Sequence, residues 1–304
     1  MATRFLYGFT MLFAIAGVFA IDHFAKETFG LFFLSTVAVT VGIFEIDRLL
    51  KFRGLPFDRN LMILLNLVTM TYVQFVASPP ALGALLTISS GEAMRPLFHV
   101  PAQYRDLMLL LPLPVMLLCC LQGLRSRDVP QISLRVLVNI GVYLYLVYTI
   151  AAILWLRRIP GSGEWLIYFL LAASRFGDVG AYVMGRAVGR NKLIPHLSPG
   201  KTVEGGLFGL IASATAGALI VIWAGSVTDA LKPVFVEWWY GAVVGAFTGI
   251  AAQSGDLVKS AMKRAAGVKD SGNLVPGFGG ILDIMDNFML TGPMLLVMLA
   301  LWPR

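Results

Sequence analysis

GLFGLIASATAGALIVIWA, residues 206–224, contains no charged side chain. About 20 predominantly apolar residues suffice for a helix to cross the hydrocarbon core of a bilayer, so this stretch reads as a membrane span. Eight further segments have the same character, at 5–21, 29–46, 61–77, 107–124, 134–156, 165–184, 238–261 and 281–302. The predicted fold is all-α, a polytopic integral membrane protein of about nine transmembrane helices. Composition agrees: of 304 residues, 58% are hydrophobic and 13% charged, with a mean hydropathy of +0.78. Soluble domains carry about 25% charged residues, and a chain this apolar would leave too much of its surface unsolvated in water. The segment at 5–21 follows a single basic residue, Arg4, and reads as a retained helix because Val18-Phe19-Ala20 is a weak cleavage pattern. The connection 78–106 holds Pro79, Pro80, Pro96 and Pro101, and its apolar run 81–88 is too short to cross, so it is predicted to be re-entrant or interfacial.

Lysine and arginine concentrate in cytoplasmic loops. With the nine spans alternating and the N-terminus inside, sixteen Lys and Arg fall on the cytoplasmic side and seven on the other. This predicts N-terminus in and C-terminus out. The net charge of +7 then reflects loop lysines and arginines facing anionic headgroups, not nucleic acid, since no basic run is interleaved with aromatics. Cys119 and Cys120 are adjacent inside an apolar run, which supplies neither a disulfide framework nor a zinc spacing.

The most unusual stretch is GDLVKSAMKRAAGVKDSGNLVPGFGGILDIMD, residues 255–286, between two apolar segments. Charge beside a bilayer is costly unless it pairs, binds an ion or meets a charged substrate. Asp256 and Ser260 are four apart on one helix, with Lys263 and Arg264 one turn on and Lys269 and Asp270 in the following loop. The turn 276–280 then leads into a helix whose first turn carries Asp283 and Asp286 on one face. Its glycines permit close backbone approach, and free N–H groups lie at the helix start. The helix dipole alone accounts for Asp283 and Asp286. It does not account for Asp256 or the lysines, and oxygen ligands from two helices completed by phosphate suit magnesium.

Two further elements share the predicted cytoplasmic face. Ser174, Asp178 and Tyr182 recur every four residues along one helix face. Arg175 stands three before Asp178, which reads either as an internal ion pair or as a carboxylate orienting a ligand. The loop NKLIPHLSPGKTVEGG, 191–206, contains Gly-Lys-Thr, but Pro195 occupies the position where a P-loop needs glycine, and no strand precedes it. What remains is a turn at Ser198-Pro199-Gly200 that presents Lys201 and Thr202 at a helix start. That geometry suits a phosphate, while Thr202 suits a helix cap equally well. His196 reads as structural.

Taken together, SxxKRxxxxKDxGxxxPGxGGxxDxxD from Ser260 and DxxAYxxGRxxGRxKLxPxxSPGKTxEG from Asp178 resemble the two diagnostic blocks of phosphatidate cytidylyltransferases, the CDP-diacylglycerol synthases. Together the blocks bracket residues 178–286, about a third of the chain, in its C-terminal half. The N-terminal half matches only as apolar helices, with Glu45 at the end of its second span. The resemblance implies transfer of the cytidylyl group of CTP to phosphatidate for phospholipid biosynthesis, giving CDP-diacylglycerol and pyrophosphate. It implies a scaffold at 1–160, a catalytic half at 161–304, and a bacterial cytoplasmic membrane with the active site facing the cytoplasm. Asp256 and Asp283 would be the main metal ligands with Asp286 close by, for magnesium as one ion, as two, or with a monovalent cation beside it. Lys201, Lys263, Arg264 and Lys269 would hold phosphates, with Asp270 in the same catalytic group. Asp178, Tyr182, Ser198, Thr202, Ser260, Gly279 and Gly280 would form the substrate pocket. The oligomeric state is not fixed by the sequence, a homodimer being compatible with it.

This chain departs from the family pattern at Phe278, where histidine is frequent, at Ile284, where arginine is, and at Val179, commonly a hydroxyl residue. The attacking phosphate monoester is largely a dianion near neutral pH, since its second pKa is about 6. No general base is therefore required, and activity is expected. The alternatives are another CTP-dependent membrane lipid transferase, such as a polyprenol kinase, and a transporter. A transporter would place its charges near mid-membrane and often shows repeated halves, whereas these charges gather at one face.

Overall fold

A computed structural model describes residues 17–24, 28–76, 111–124, 128–159, 161–231, 234–235, 237–268, 270–272 and 279–301. They fall into two compact units, Met1–Arg158 and Ile159–Arg304. Helices dominate both. In a bilayer every backbone polar group must be satisfied within the protein, and a helix does this inside each segment.

The first unit contains α1 (Phe29–Lys51), α2 (Arg59–Thr71), α3 (Pro112–Gly123) and α4 (Val129–Arg157). Residues 17–24 are also helical. The carboxylate of Asp22 accepts from the backbone N–H of Gly30 and Leu31, each at 2.8 Å. This satisfies two of the four N–H groups that a helix start leaves open. Pro112 and Pro130 open α3 and α4, where a missing N–H costs nothing. Val39, Ile43, Ile46, Met62, Met70 and Leu146 are wholly buried. A polar seam runs through this core. Asn66 donates to the Thr36 carbonyl at 3.2 Å and to Thr40 at 3.0 Å, and Thr69 meets Tyr143 at 3.2 Å. Such interhelical hydrogen bonds contribute roughly 0.6–2 kcal/mol each in a membrane. Glu45 is buried in α1, 5% exposed.

The second unit contains α5 (Gly163–Val188), strands β1 (Lys192–Ile194) and β2 (Ser198–Thr202), α6 (Val203–Val227), α7 (Trp238–Ala265), α8 (Ile281–Met289) and α9 (Thr291–Leu301). Its helices are held by small residues at a spacing of four. Gly205, Gly209, Ser213 and Gly217 line α6, and Gly241, Gly245 and Gly249 line α7. A side chain on Gly217 would meet the backbone of Gly241, and one on Gly205 would sit 2.7 Å from the Ala181 carbonyl of α5. Without water to drive association, membrane helices rely on this kind of close packing.

Among the described residues, five helices are long and apolar enough to cross a membrane: Phe29–Lys51, Val129–Arg157, Gly163–Val188, Val203–Val227 and Ile281–Leu299. The expected span at 5–21 falls mostly outside the described residues, as do the start of the one at 107–124 and the whole 78–106 connection. The α2 helix passes into a π turn, Tyr72–Val76, at the edge of the described segment. The α7 helix has 28 residues but is enriched in glycine and aromatics, and its last turns carry Asp256, Lys259, Lys263 and Arg264. The last expected span is broken at Leu290. Pro293 explains the break, because its ring opposes the carbonyl four residues earlier, that of Met289.

The polar loop before α6 differs from expectation. It forms an antiparallel hairpin, with Lys192 opposite Thr202 and Ile194 opposite Ser198. The turn lies at 195–197, not at Ser198-Pro199-Gly200, which belong to β2. The register shifts between the two pairs. Pro199 has no N–H to give a ladder, so an irregularity there is its natural place.

Candidate active site

On α7, Asp256, Lys259 and Lys263 follow at intervals of three and four and so share one face. On α8, Asp283 and Asp286 share another, three residues apart. Gly255 brings these faces together, since a Cβ there would be 2.8 Å from the Asp286 carbonyl oxygen. The side chains interlock as an alternating chain of charge. Lys201, from the end of β2, lies 2.6 Å from Asp256 Oδ2. Lys259 Nζ lies 3.1 Å from Asp256 Oδ1 and 3.8 Å from Asp283 Oδ1, and donates directly to Asp286. Lys263 Nζ lies 2.6 Å from Asp283 Oδ1. The centre is largely buried: the Lys259 and Asp283 side chains are 12% and 8% exposed, against 28% for Lys201 at the rim. In such surroundings charges interact far more strongly than in water.

Asp283 also organises the loop before it. Its Oδ2 accepts from the Ser271 backbone and hydroxyl, both at 2.9 Å, and from the Gly280 N–H at 3.3 Å. Gly279 has φ +92, a left-handed conformation that glycine adopts freely, and a Cβ there would press on the Asp283 carboxylate. Gly280 caps α8. Asn287, next to Asp286, donates to Asp178 of α5 and so ties the third helix to the cluster. Arg175 stacks over the Phe288 ring, 5.1 Å from its centroid.

The predicted site residues therefore divide. Asp178, Lys201, Asp256, Lys263, Asp283 and Asp286 form one connected cluster with Gly279 and Gly280 at its edge, and Ser260 sits beside Lys259 on α7. Tyr182 is elsewhere, 68% exposed and accepting from Arg186 at 3.4 Å. Arg264 and Asp270 are exposed, and Lys269 and Phe278 lie outside the described residues. Thr202, 6% exposed, accepts from the Gly205 N–H at 3.1 Å, which is the helix-cap geometry. Ser198 begins β2, half-buried. Three members of the network were not singled out from the sequence: Lys259, Asn287 and Ser271. Helical spacing from Asp256 would have found Lys259, and Asn287 is conspicuous as an amide beside Asp286 in a helix whose other polar residues are both aspartates.

The donor chemistry suits a hard divalent cation, since carboxylate oxygens from α7 and α8 converge on one positive centre. That centre is the Lys259 ammonium. Among the described residues, no three or more His, Cys, Asp or Glu are gathered as a ready-made metal group. Substrate phosphate oxygens would have to complete any metal shell.

Known proteins place this arrangement in context. The phosphatidate cytidylyltransferase of Synechocystis sp. is 45% identical over 121 residues, covering 38% of this chain and 37% of the relative. The phosphatidate cytidylyltransferase of Bacillus subtilis is 35% identical over 147 residues, covering 48% and 52%. The uncharacterized protein YnbB of Escherichia coli (strain K12) is 37% identical over 151 residues, covering 48% of each. The chain thus spans about half the length, or less, of the curated relatives it matches. A profile of the cytidylyltransferase family reaches much further, matching residues 2–302 and so taking in the whole acidic and basic network, and on that match the chain belongs to the cytidylyltransferase family.

Proposed function

We propose that this protein transfers the cytidylyl group of CTP to phosphatidate, releasing pyrophosphate and forming CDP-diacylglycerol for phospholipid biosynthesis. The observation that carries the reading is the alternating network of Lys201, Asp256, Lys259, Asp286, Asp283 and Lys263 where α7 meets α8. Family membership and the names of the relatives support it. A phosphate monoester oxygen of phosphatidate attacks the α-phosphorus of CTP, and the bond from that phosphorus to the bridging oxygen of pyrophosphate breaks. Lys201, at the exposed rim, and Lys263 are placed to draw the polyphosphate in and offset the charge that gathers on the leaving pyrophosphate. Arg264, exposed at the end of α7, extends the positive surface outside the cluster, and Lys269 and Asp270, next in sequence, are assigned to the same phosphate-handling group. Asp178, held by Asn287, forms one wall, and Ser260, Gly279 and Gly280 line the approach from α7 and α8. Tyr182, Ser198 and Thr202 act further out or through the hairpin. Asp256, Asp283 and Asp286 would hold magnesium, which when bound supplies charge neutralisation and alignment of the attacking and leaving oxygens. The same reading places the site at the cytoplasmic face of a bacterial cytoplasmic membrane, with nine spans and the N-terminus inside.

The test is direct. Full-length protein in detergent, given magnesium, phosphatidate and labelled CTP, is expected to form a labelled liponucleotide and pyrophosphate in equal amounts. Release of CDP with transfer of the γ-phosphoryl group to a lipid alcohol would replace this reading by a lipid kinase. Absence of both products beside an active control would overturn it. Because the nucleophile is already a dianion, Phe278 replaces no obligatory base. Phe278→Ala is accordingly expected to keep its rate within about tenfold of the parent, less than the 10²–10⁴-fold worth of a true acid–base residue.

A further inference from the structure

Lys259 stands where a metal ion would be expected to stand. Its ammonium meets carboxylates from two helices: Asp256 Oδ1 at 3.1 Å, Asp283 Oδ1 at 3.8 Å, and Asp286 through a direct hydrogen bond. The neighbouring lysines engage the same carboxylates, Lys201 through Asp256 Oδ2 at 2.6 Å and Lys263 through the shared Asp283 Oδ1 at 2.6 Å. A magnesium ion approaches its oxygen ligands to about 2.1 Å and binds in near-octahedral geometry. It cannot take oxygens from these aspartates while the ammonium remains among them, because two cations in a largely buried site repel each other strongly. The ammonium is carried on a flexible four-carbon stem, however, and nothing covalent keeps it there.

We propose that Lys259 is an internal counter-ion that holds the three aspartates in register and excludes divalent metal until a polyphosphate arrives to receive the ammonium. This rests on reading Asp256, Asp283 and Asp286 as the metal-binding carboxylates. The phosphate groups of an incoming nucleotide give Lys201, Lys259 and Lys263 a second set of anionic partners, and the aspartates are released together. Metal and nucleotide then bind interdependently, and the coupling is reciprocal. The arrangement keeps three carboxylates compensated in a buried site when no substrate is present, which an isolated acidic cluster could not achieve without a large desolvation cost.

Manganese binding tests this without any turnover. Full-length protein in detergent is titrated with Mn²⁺ alone, and free Mn²⁺ is followed by electron paramagnetic resonance. K259Q, which keeps length but removes charge, is expected to bind Mn²⁺ at least about tenfold more tightly than the parent, whereas K259R stays near the parent value. Adding D283N to K259Q should erase the gain and so locate it. Equal or weaker binding by K259Q overturns the proposal in favour of a structural pair that merely fixes α7 against α8. Equal tightening by K259R overturns the charge argument. If K259Q does not give a monodisperse protein, K259M carries the same comparison. Failure of liponucleotide synthesis would overturn the proposed reaction and leave this binding result standing, so the two readings fail separately.

Discussion

Replacing Asp283 with asparagine is expected to lower liponucleotide formation by about 10²–10³-fold, the range for removing one well-placed electrostatic group from an active site. Asp283 faces two environments, with Oδ2 toward the Ser271 N–H, the Ser271 hydroxyl and the Gly280 N–H, and Oδ1 toward Lys263 and Lys259. Asparagine can keep its oxygen on the first set, which preserves the approach to α8. Its amide nitrogen then points at two ammonium groups, donor against donor, and the charge that held them is gone. Folding should survive while the charge balance fails, so thermal stability and rate separate. Alanine in the same place would lose both faces and abolish turnover. Activity in D283N above about a tenth of the parent would show that Asp283 serves the fold and that the chemistry lies elsewhere.

The balance between what the sequence revealed and what it hid follows from the range of the signals. The apolar runs that became α1, α4, α5 and α6 were legible because each span carries its signal within twenty residues. The break inside the last span was carried by one residue, Pro293, whose effect falls four positions back at Met289. The clustered carboxylates of α7 and α8 were legible as candidates because acids are rare in an apolar chain and helical spacing puts Asp283 and Asp286 on one face. Lys259 lay in plain view, yet its role depends on α8 crossing α7 at Gly255, which no local pattern announces. Thr202 had two readings of equal standing until the Gly205 N–H was found at 3.1 Å. The glycines of α6 and α7 recur every four residues, but which glycine faces which helix is a tertiary fact.

Those glycines carry the second large expectation. Gly217→Ala should destabilise the protein by about 1–3 kcal/mol, the usual cost of forcing an atom into a packed interface, and should also lower activity well below the unfolding temperature. A methyl group there would press into the Gly241 carbonyl and lie 3.1 Å from Gly245 Cα. These are backbone atoms and cannot rotate away, so α6 and α7 must part. The same pair of helices, followed toward the site, is joined by Gln253 donating to the Gly206 carbonyl at 3.2 Å and then by Lys201 on Asp256 at 2.6 Å. Parting the seam therefore moves Lys201 away from Asp256, the pair proposed to hold phosphate and metal, and a displacement of about 1 Å can cost 10²-fold in rate. Gly225→Ala, on the same helix with nothing within 4 Å of its added Cβ, is the control. It should be neutral or stabilise by up to about 1 kcal/mol, because alanine favours the helix. Melting of the two variants in one detergent, with activity measured below both transitions, decides the matter. If Gly217→Ala melts and turns over as Gly225→Ala does, the close approach of α6 and α7 is not what sets the geometry of the site.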